Sequence, residues 1–114
     1  MTSLNIQTAS ALGLRVDELT DINALIGATY GLDGLLLSET DLGPEFFRLG
    51  SGLAGELFQK FVNQRLMVAL ILPDFSAHGA RFAELAFEHA RHPSVRFMTS
   101  EEAAWEWLLE AAGR

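Results

Sequence analysis

Leu66-Met67-Val68-Ala69-Leu70-Ile71-Leu72 is an uninterrupted apolar run, preceded by Arg65 and closed by Pro73-Asp74. A strand with one wet face alternates apolar and polar residues, so a short continuous run predicts a strand covered on both faces. Proline ends it, because it has no N–H to donate to a ladder. Strands of this kind sit at the centre of parallel sheets, and parallel neighbours are joined by crossover helices that cover the sheet. The run therefore predicts flanking strands and helices on both sides.

Upstream, Leu35-Leu36-Leu37 gives the same signal on a smaller scale, just after the turn signal Asp33-Gly34. Between these two strands, Gly43-Pro44 opens a short helical turn at Glu45-Phe46-Phe47, where proline suits the first helical position. A longer helix begins near Gly52, with Leu53, Leu57, Phe58 and Phe61 spaced as one buried stripe. An earlier helix is predicted from Thr20 as N-cap, with Ile22, Leu25, Ile26 and Thr29/Tyr30 on one face before Gly31. At the N-terminus Leu4, Ile6, Leu14 and Val16 alternate with polar residues around Gly13, which predicts two short strands or a hairpin.

Downstream, a helix is expected over residues 77–91, with Phe82, Leu85, Ala86 and His89 on one face and His92-Pro93 ending it. Val95-Arg96-Phe97-Met98 supplies another strand. Thr99 and Glu102 have capping-box spacing for a last helix in which Trp105, Leu108, Leu109 and Ala112 pack inward. The expected order is β-β-α-β-α-β-α-β-α: one α/β domain over residues 1–114, with a mostly parallel central sheet and about four helices.

Composition narrows the functional classes. With 114 residues, 49% hydrophobic content, eight Phe and two Trp, the chain can bury one core without staples. No cysteine is present, so thiol nucleophiles, disulfides and cysteine-ligated metals are excluded. A net charge of -7, from 8 basic and 15 acidic residues, opposes binding to a nucleic-acid polyanion. The longest apolar run is far short of the roughly 20 residues that span a bilayer. Met1-Thr2-Ser3-Leu4-Asn5 lacks the basic region and apolar core of a signal peptide, and a cytoplasmic location is expected.

Two places could carry a function. Gly50-Ser51-Gly52-Leu53 sets a serine just ahead of a helix, where its oxygen can cap free N–H groups and an added phosphate would meet the positive end of the helix dipole. Ser51 is thus a candidate phosphorylation switch, with Gly50, Gly52 and Glu56 as candidate partner contacts. The plainer reading is a helix cap, with Glu56 and Lys60 forming a surface ion pair. The second place is the strand ends, where Ser38-Glu39 with Asp41, and Asp74 with Ser76 and His78, could converge on a ligand crevice. Their spacing matches no metal motif, so no metal or cofactor is expected, and acidic loop residues commonly form turns. His89 reads as a boundary histidine. Phe87 and Trp107 lie off the main stripes, and exposure of both would point to self-association.

The residues Phe46-Phe47 with Leu49, Ser51-Gly52-Leu53-Ala54-Gly55-Glu56, Gln59-Lys60-Phe61-Val62-Asn63 and Asp74-Phe75-Ser76 resemble the bacterial domain of unknown function 4180 family. That resemblance implies a fold and no assigned activity. More distantly, the order of elements and Ser51-Gly52-Leu53 are similar to the STAS domains of anti-anti-sigma factors. There the serine before Gly-Leu is a phosphorylated switch; Leu49 and Gly50 replace the acidic residue and extra serine that usually precede it. The resemblance implies a non-enzymatic regulatory module that forms a homodimer or binds a protein partner. A reading from another class is a small-ligand binder or weak enzyme using the crevice near Asp41, Asp74 and His78, which requires a concave pocket there. A nuclease is disfavoured by the acidic charge and the lack of an acid-base cluster.

Overall fold

A computed structural model describes residues 4–113; the polar start at residues 1–3 and Arg114 lie outside the described residues. Strands β1 (Ile6–Thr8), β2 (Gly34–Ser38), β3 (Met67–Ile71) and β4 (Val95–Met98) form one sheet in that order, and every neighbouring pair is parallel. The helices are α1 (Leu19–Thr29), α2 (Pro44–Phe47), α3 (Leu53–Gln64), α4 (Ala80–Glu88) and α5 (Glu101–Ala112). None among the described residues is long and apolar enough to cross a membrane.

The strand order decides the layers. Right-handed crossovers that always step the same way along a sheet lay their helices on one face. Accordingly Leu35, Leu37, Val68, Leu70, Val95 and Phe97 point from the strands into a core shared with α1, α3 and α4. The alternate residues Leu36, Ala69 and Ile71 face the other way, where among the described residues α5 alone covers them with Ala104, Trp107, Leu108 and Ala111. The unbroken apolar run in β3 is the direct consequence of having both faces covered. Gly34 fits the same sandwich: a Cβ there would meet Ile6 of β1 and Leu108 of α5 at 3.3 Å.

The expected N-terminal hairpin does not form. Gly13 (φ 69°) closes a turn in which the Leu14 N–H donates to Ala9 O (2.9 Å), but the chain then leaves β1. Val16 instead makes an isolated parallel bridge with Leu42, donating to Asp41 O and accepting from Gly43 N–H. Alternation marks a half-buried extended segment without naming its partner, and here the partner follows β2. The observed order is therefore β-α-β-α-α-β-α-β-α.

Three helix assignments shift. The N-cap of α1 is Glu18 rather than Thr20, because Asp21 Oδ2 accepts from the N–H groups of both Asp17 (2.8 Å) and Glu18 (3.0 Å). The helix expected over 77–91 is broken by Gly79 (φ 98°) into a 3-10 turn, Phe75–His78, and α4. The cap of α5 is Ser100, not Thr99, with Ala103 N–H donating to its Oγ (3.2 Å). The α5 stripe is accordingly Ala104, Trp107, Leu108 and Ala111, while Leu109 is 54% exposed and Trp105 half-buried. Trp107 is buried and Phe87 is 68% exposed, so the two do not form a common exposed patch.

Candidate functional site

Ser51 ends a 3-10 turn, Leu49–Ser51, and the residue that caps α3 is Gly52, held at φ 76°. The serine oxygen lies 2.7 Å from Glu45 O and 2.8 Å from Arg48 O, sharing its one proton between them, and accepts the Leu53 N–H at 3.2 Å. The hydroxyl thus ties α2 to the start of α3. Its surroundings are acidic: Asp17, Glu18 and Glu45 line the depression on one side, and Glu56 lies on the other. The nearby bases are already paired, Arg48 with Glu45 at 2.9 Å and Lys60 with Glu56 at 3.7 Å. Gly52 and Glu56 share one shallow depression with Ser51, whereas Gly50 belongs to another, beside Arg48 and Arg81.

The strand ends hold an open cavity of about 900 Å³ beyond β2 and β3. Its apolar lining includes Leu42, Phe47, Ile71 and Pro73, and its charged lining comprises Arg15, Glu39 and His78. Of the candidates Asp41, Asp74, Ser76 and His78, only His78 reaches it. Asp41 is buried, and its Oδ2 accepts the Ser38 N–H at 2.8 Å to close the turn after β2. Asp74 is exposed and accepts both the hydroxyl (2.6 Å) and the N–H (3.0 Å) of Ser76. Those bonds hold the Asp74 carboxyl below the ordinary range, the hydroxyl contributing most and the backbone bond next; desolvation opposes them, and His78, when protonated, adds least to them. Both carboxylates therefore act as local caps, and Ser76 is committed to one of them.

His78 is positioned by stacking. Its ring lies flat on Phe47, with centroids 3.6 Å apart and planes 9° from parallel, and meets Phe82 edge-on. Its Nε2 is shielded from water 3.2 Å from Glu39 Oε1, too poorly aligned for a hydrogen bond and close enough for an ion pair when the ring is protonated. Elsewhere in the lining, Arg15 Nε contacts both carboxylate oxygens of Asp17 (2.9 and 3.0 Å), and its Nη1 donates to Thr40 O. Sequence reasoning missed Arg15, Leu42, Phe47 and Pro73 as lining residues. The one available signal was the doublet Phe46-Phe47, since a helix as short as α2 can bury only one of two adjacent rings. Among the described residues, no group of three or more His, Asp or Glu is placed to hold a metal ion.

His92 has a structural role. Its Nδ1 accepts the N–H groups of Ser94 and Val95, both at 3.1 Å, which shapes the entry to β4 and requires that nitrogen to be unprotonated. Burial, then the charges of His89 and Arg96, pull its pKa below 6.5. A depressed imidazole contributes stability that is full above about pH 6.5 and is lost as pH falls through the folded-state value, because the unfolded chain takes up the proton first. Urea unfolding between pH 7.5 and 5 is expected to show falling stability that flattens in His92→Asn, whose side-chain oxygen keeps the acceptor without titrating. An equally steep fall in the variant would place the effect elsewhere.

Neither a curated protein nor a solved structure is matched by the chain. The family model described as Domain of unknown function (DUF4180) matches residues 2–108, nearly the full length of the chain, and the protein belongs to that family.

Proposed function

We propose that the protein is a small-ligand-binding module that holds its ligand in the strand-end cavity without transforming it. The observation that carries this is the cavity itself. At about 900 Å³, with an apolar lining and only a few charged groups, it falls within the range that accommodates small organic ligands. Chemistry is disfavoured because Asp41, Asp74 and Ser76 serve as caps and, among the described residues, no nucleophile is bonded to Glu39 or His78. A regulatory, STAS-like role through the Ser51 turn or a homodimer draws less support. A dianionic phosphate on Ser51 would enter a region already rich in Asp17, Glu18, Glu45 and Glu56 and would break the hydroxyl's bonds to α2.

A fragment screen followed by amide NMR shifts tests the proposal on the full chain. Binders are expected to move the amides of residues 38–42 and 78, with dissociation constants of about 1 mM or below for fragments of this size. Thr40→Trp, an exposed rim position whose backbone contact to Arg15 is independent of its side chain, is expected to abolish those shifts while leaving the fold intact. Shifts that persist in Thr40→Trp, or that arise only around Ser51 and Glu56, reject the cavity.

A further inference from the structure

We propose that the ligand class is an amphipathic amine, with an apolar body seated on the Phe47–His78 shelf and a protonated nitrogen on the Glu39 carboxylate. This rests on the cavity being the binding site and adds the chemistry that it selects. The charge inventory carries the argument. Among the described residues Arg15 is the only fixed cation in the lining, and it is already paired with Asp17 and tied to Thr40 O. Glu39 is different: its side chain is 39% exposed, and no hydrogen bond reaches its carboxylate among the described residues. Its one close partner, His78 Nε2, lies beneath it and leaves the solvent side of the carboxylate open. With His78 neutral, Glu39 is the one uncompensated formal charge facing the cavity among the described residues, and the net charge of -7 biases the field the same way.

An anionic ligand would meet an Arg15 whose Nε is already held by Asp17 and whose Nη1 is held by Thr40 O, and would have to approach the Glu39 carboxylate. A cationic nitrogen meets a free carboxylate beside an apolar wall, where a charge-assisted hydrogen bond is stronger than in water. The stacked rings of Phe47 and His78 add a flat surface that suits a ring or a branched alkyl group, and such a face also attracts a cation held over it.

The test is an NMR and calorimetric titration of the full chain at mildly alkaline pH with phenylpropylamine, phenylpropanol and phenylpropanoate, which share one apolar body. The amine is expected to bind at least about tenfold more tightly than the alcohol, and the acid more weakly than either. Its shifts should be confined to residues 38–42 and 78. In Glu39→Gln the amine should fall to the affinity of the alcohol, whose own binding, unchanged, shows that the variant is folded. Equal affinities in the wild type, a preference for the acid, or an amine preference that survives Glu39→Gln overturns the ligand class while the cavity stands. Amine shifts scattered over the acidic surface overturn it as well. If none of the three moves the cavity residues, while other fragments do, the class falls alone; if nothing does, the binding site falls with it.

Discussion

Phe46→Ala is expected to lower the free energy of unfolding by about 3–5 kcal/mol, the range for removing a fully buried phenylalanine. Phe46 has no exposed surface and meets Phe47, Phe58 and Phe82 edge-on, with centroid separations of 5.3, 6.1 and 5.9 Å. It is also the buried anchor of α2, a helix of four residues that cannot persist on local hydrogen bonds alone. Its loss removes the main buried contact of α2 with α3 and one of its two ring contacts with Phe82 of α4, and weakens the support for Phe47 and for the carbonyl oxygens that Ser51 binds. A stability of about 5–15 kcal/mol, usual for one domain, would be cut deeply. Urea denaturation should show a lower midpoint at an unchanged slope, together with weakened ligand binding at the strand-end cavity. A loss below about 1 kcal/mol would mean that the ring cluster repacks and that α2 is held by something else.

How much of this was legible in the sequence depends on which physical signal each element carries. The continuous runs in β2 and β3 were unambiguous because both faces of the sheet are covered, and that requirement leaves a mark on every residue of the strand. Val16 was legible as an extended buried residue, but its partner was not: alternation is the same whether a strand pairs with Ile6 or with Leu42, and only the direction of the chain after Gly13 distinguishes them. In α5 the error was one of phase. Thr99 and Ser100 are both competent caps, and a one-residue shift turns a helix by about 100°, exchanging one apolar stripe for the next.

The candidate site shows the same limit. Ser38-x-x-Asp41 and Asp74-x-Ser76 are capping and turn patterns, and the structure uses them so, which removes both carboxylates from the crevice they were expected to form. His78 reaches the cavity because Gly79 breaks the chain after it and Phe47 stacks against it, a contact across 31 residues that no local pattern announces. Arg15 likewise meets the Thr40 carbonyl from a segment 25 residues away. Charges satisfied locally are readable in sequence. Charges that face one another across a cavity become readable only when the register of the sheet is known.

Trp107→Ala is expected to cost about 3–5 kcal/mol, while Trp105→Ala, one half-turn away on the same helix, costs about 1 kcal/mol or less. The difference follows from topology. Three crossover helices share one face of the sheet, so among the described residues the other face depends on α5 alone, and Trp107 is the largest buried side chain it contributes there. Trp107 also carries the Arg96 guanidinium over its ring at 4.8 Å, and Arg96 Nε in turn donates to His92 O at 2.7 Å, so the indole braces the entry to β4 from outside the sheet. Trp105 is half-buried at the margin of the same layer, and its indole N–H makes only a long contact of 3.4 Å with Glu101. Denaturation of the two variants, followed by hydrogen exchange at β3 and β4, separates the two indoles. Trp107→Ala should raise exchange along the face carrying Ala69, Ile71 and Met98, because a layer one helix thick has no second element to close over the gap. Equal costs for the two substitutions would mean that α5 can turn on its axis to present either indole, and that its hold on the sheet is hydrophobic area without a fixed phase.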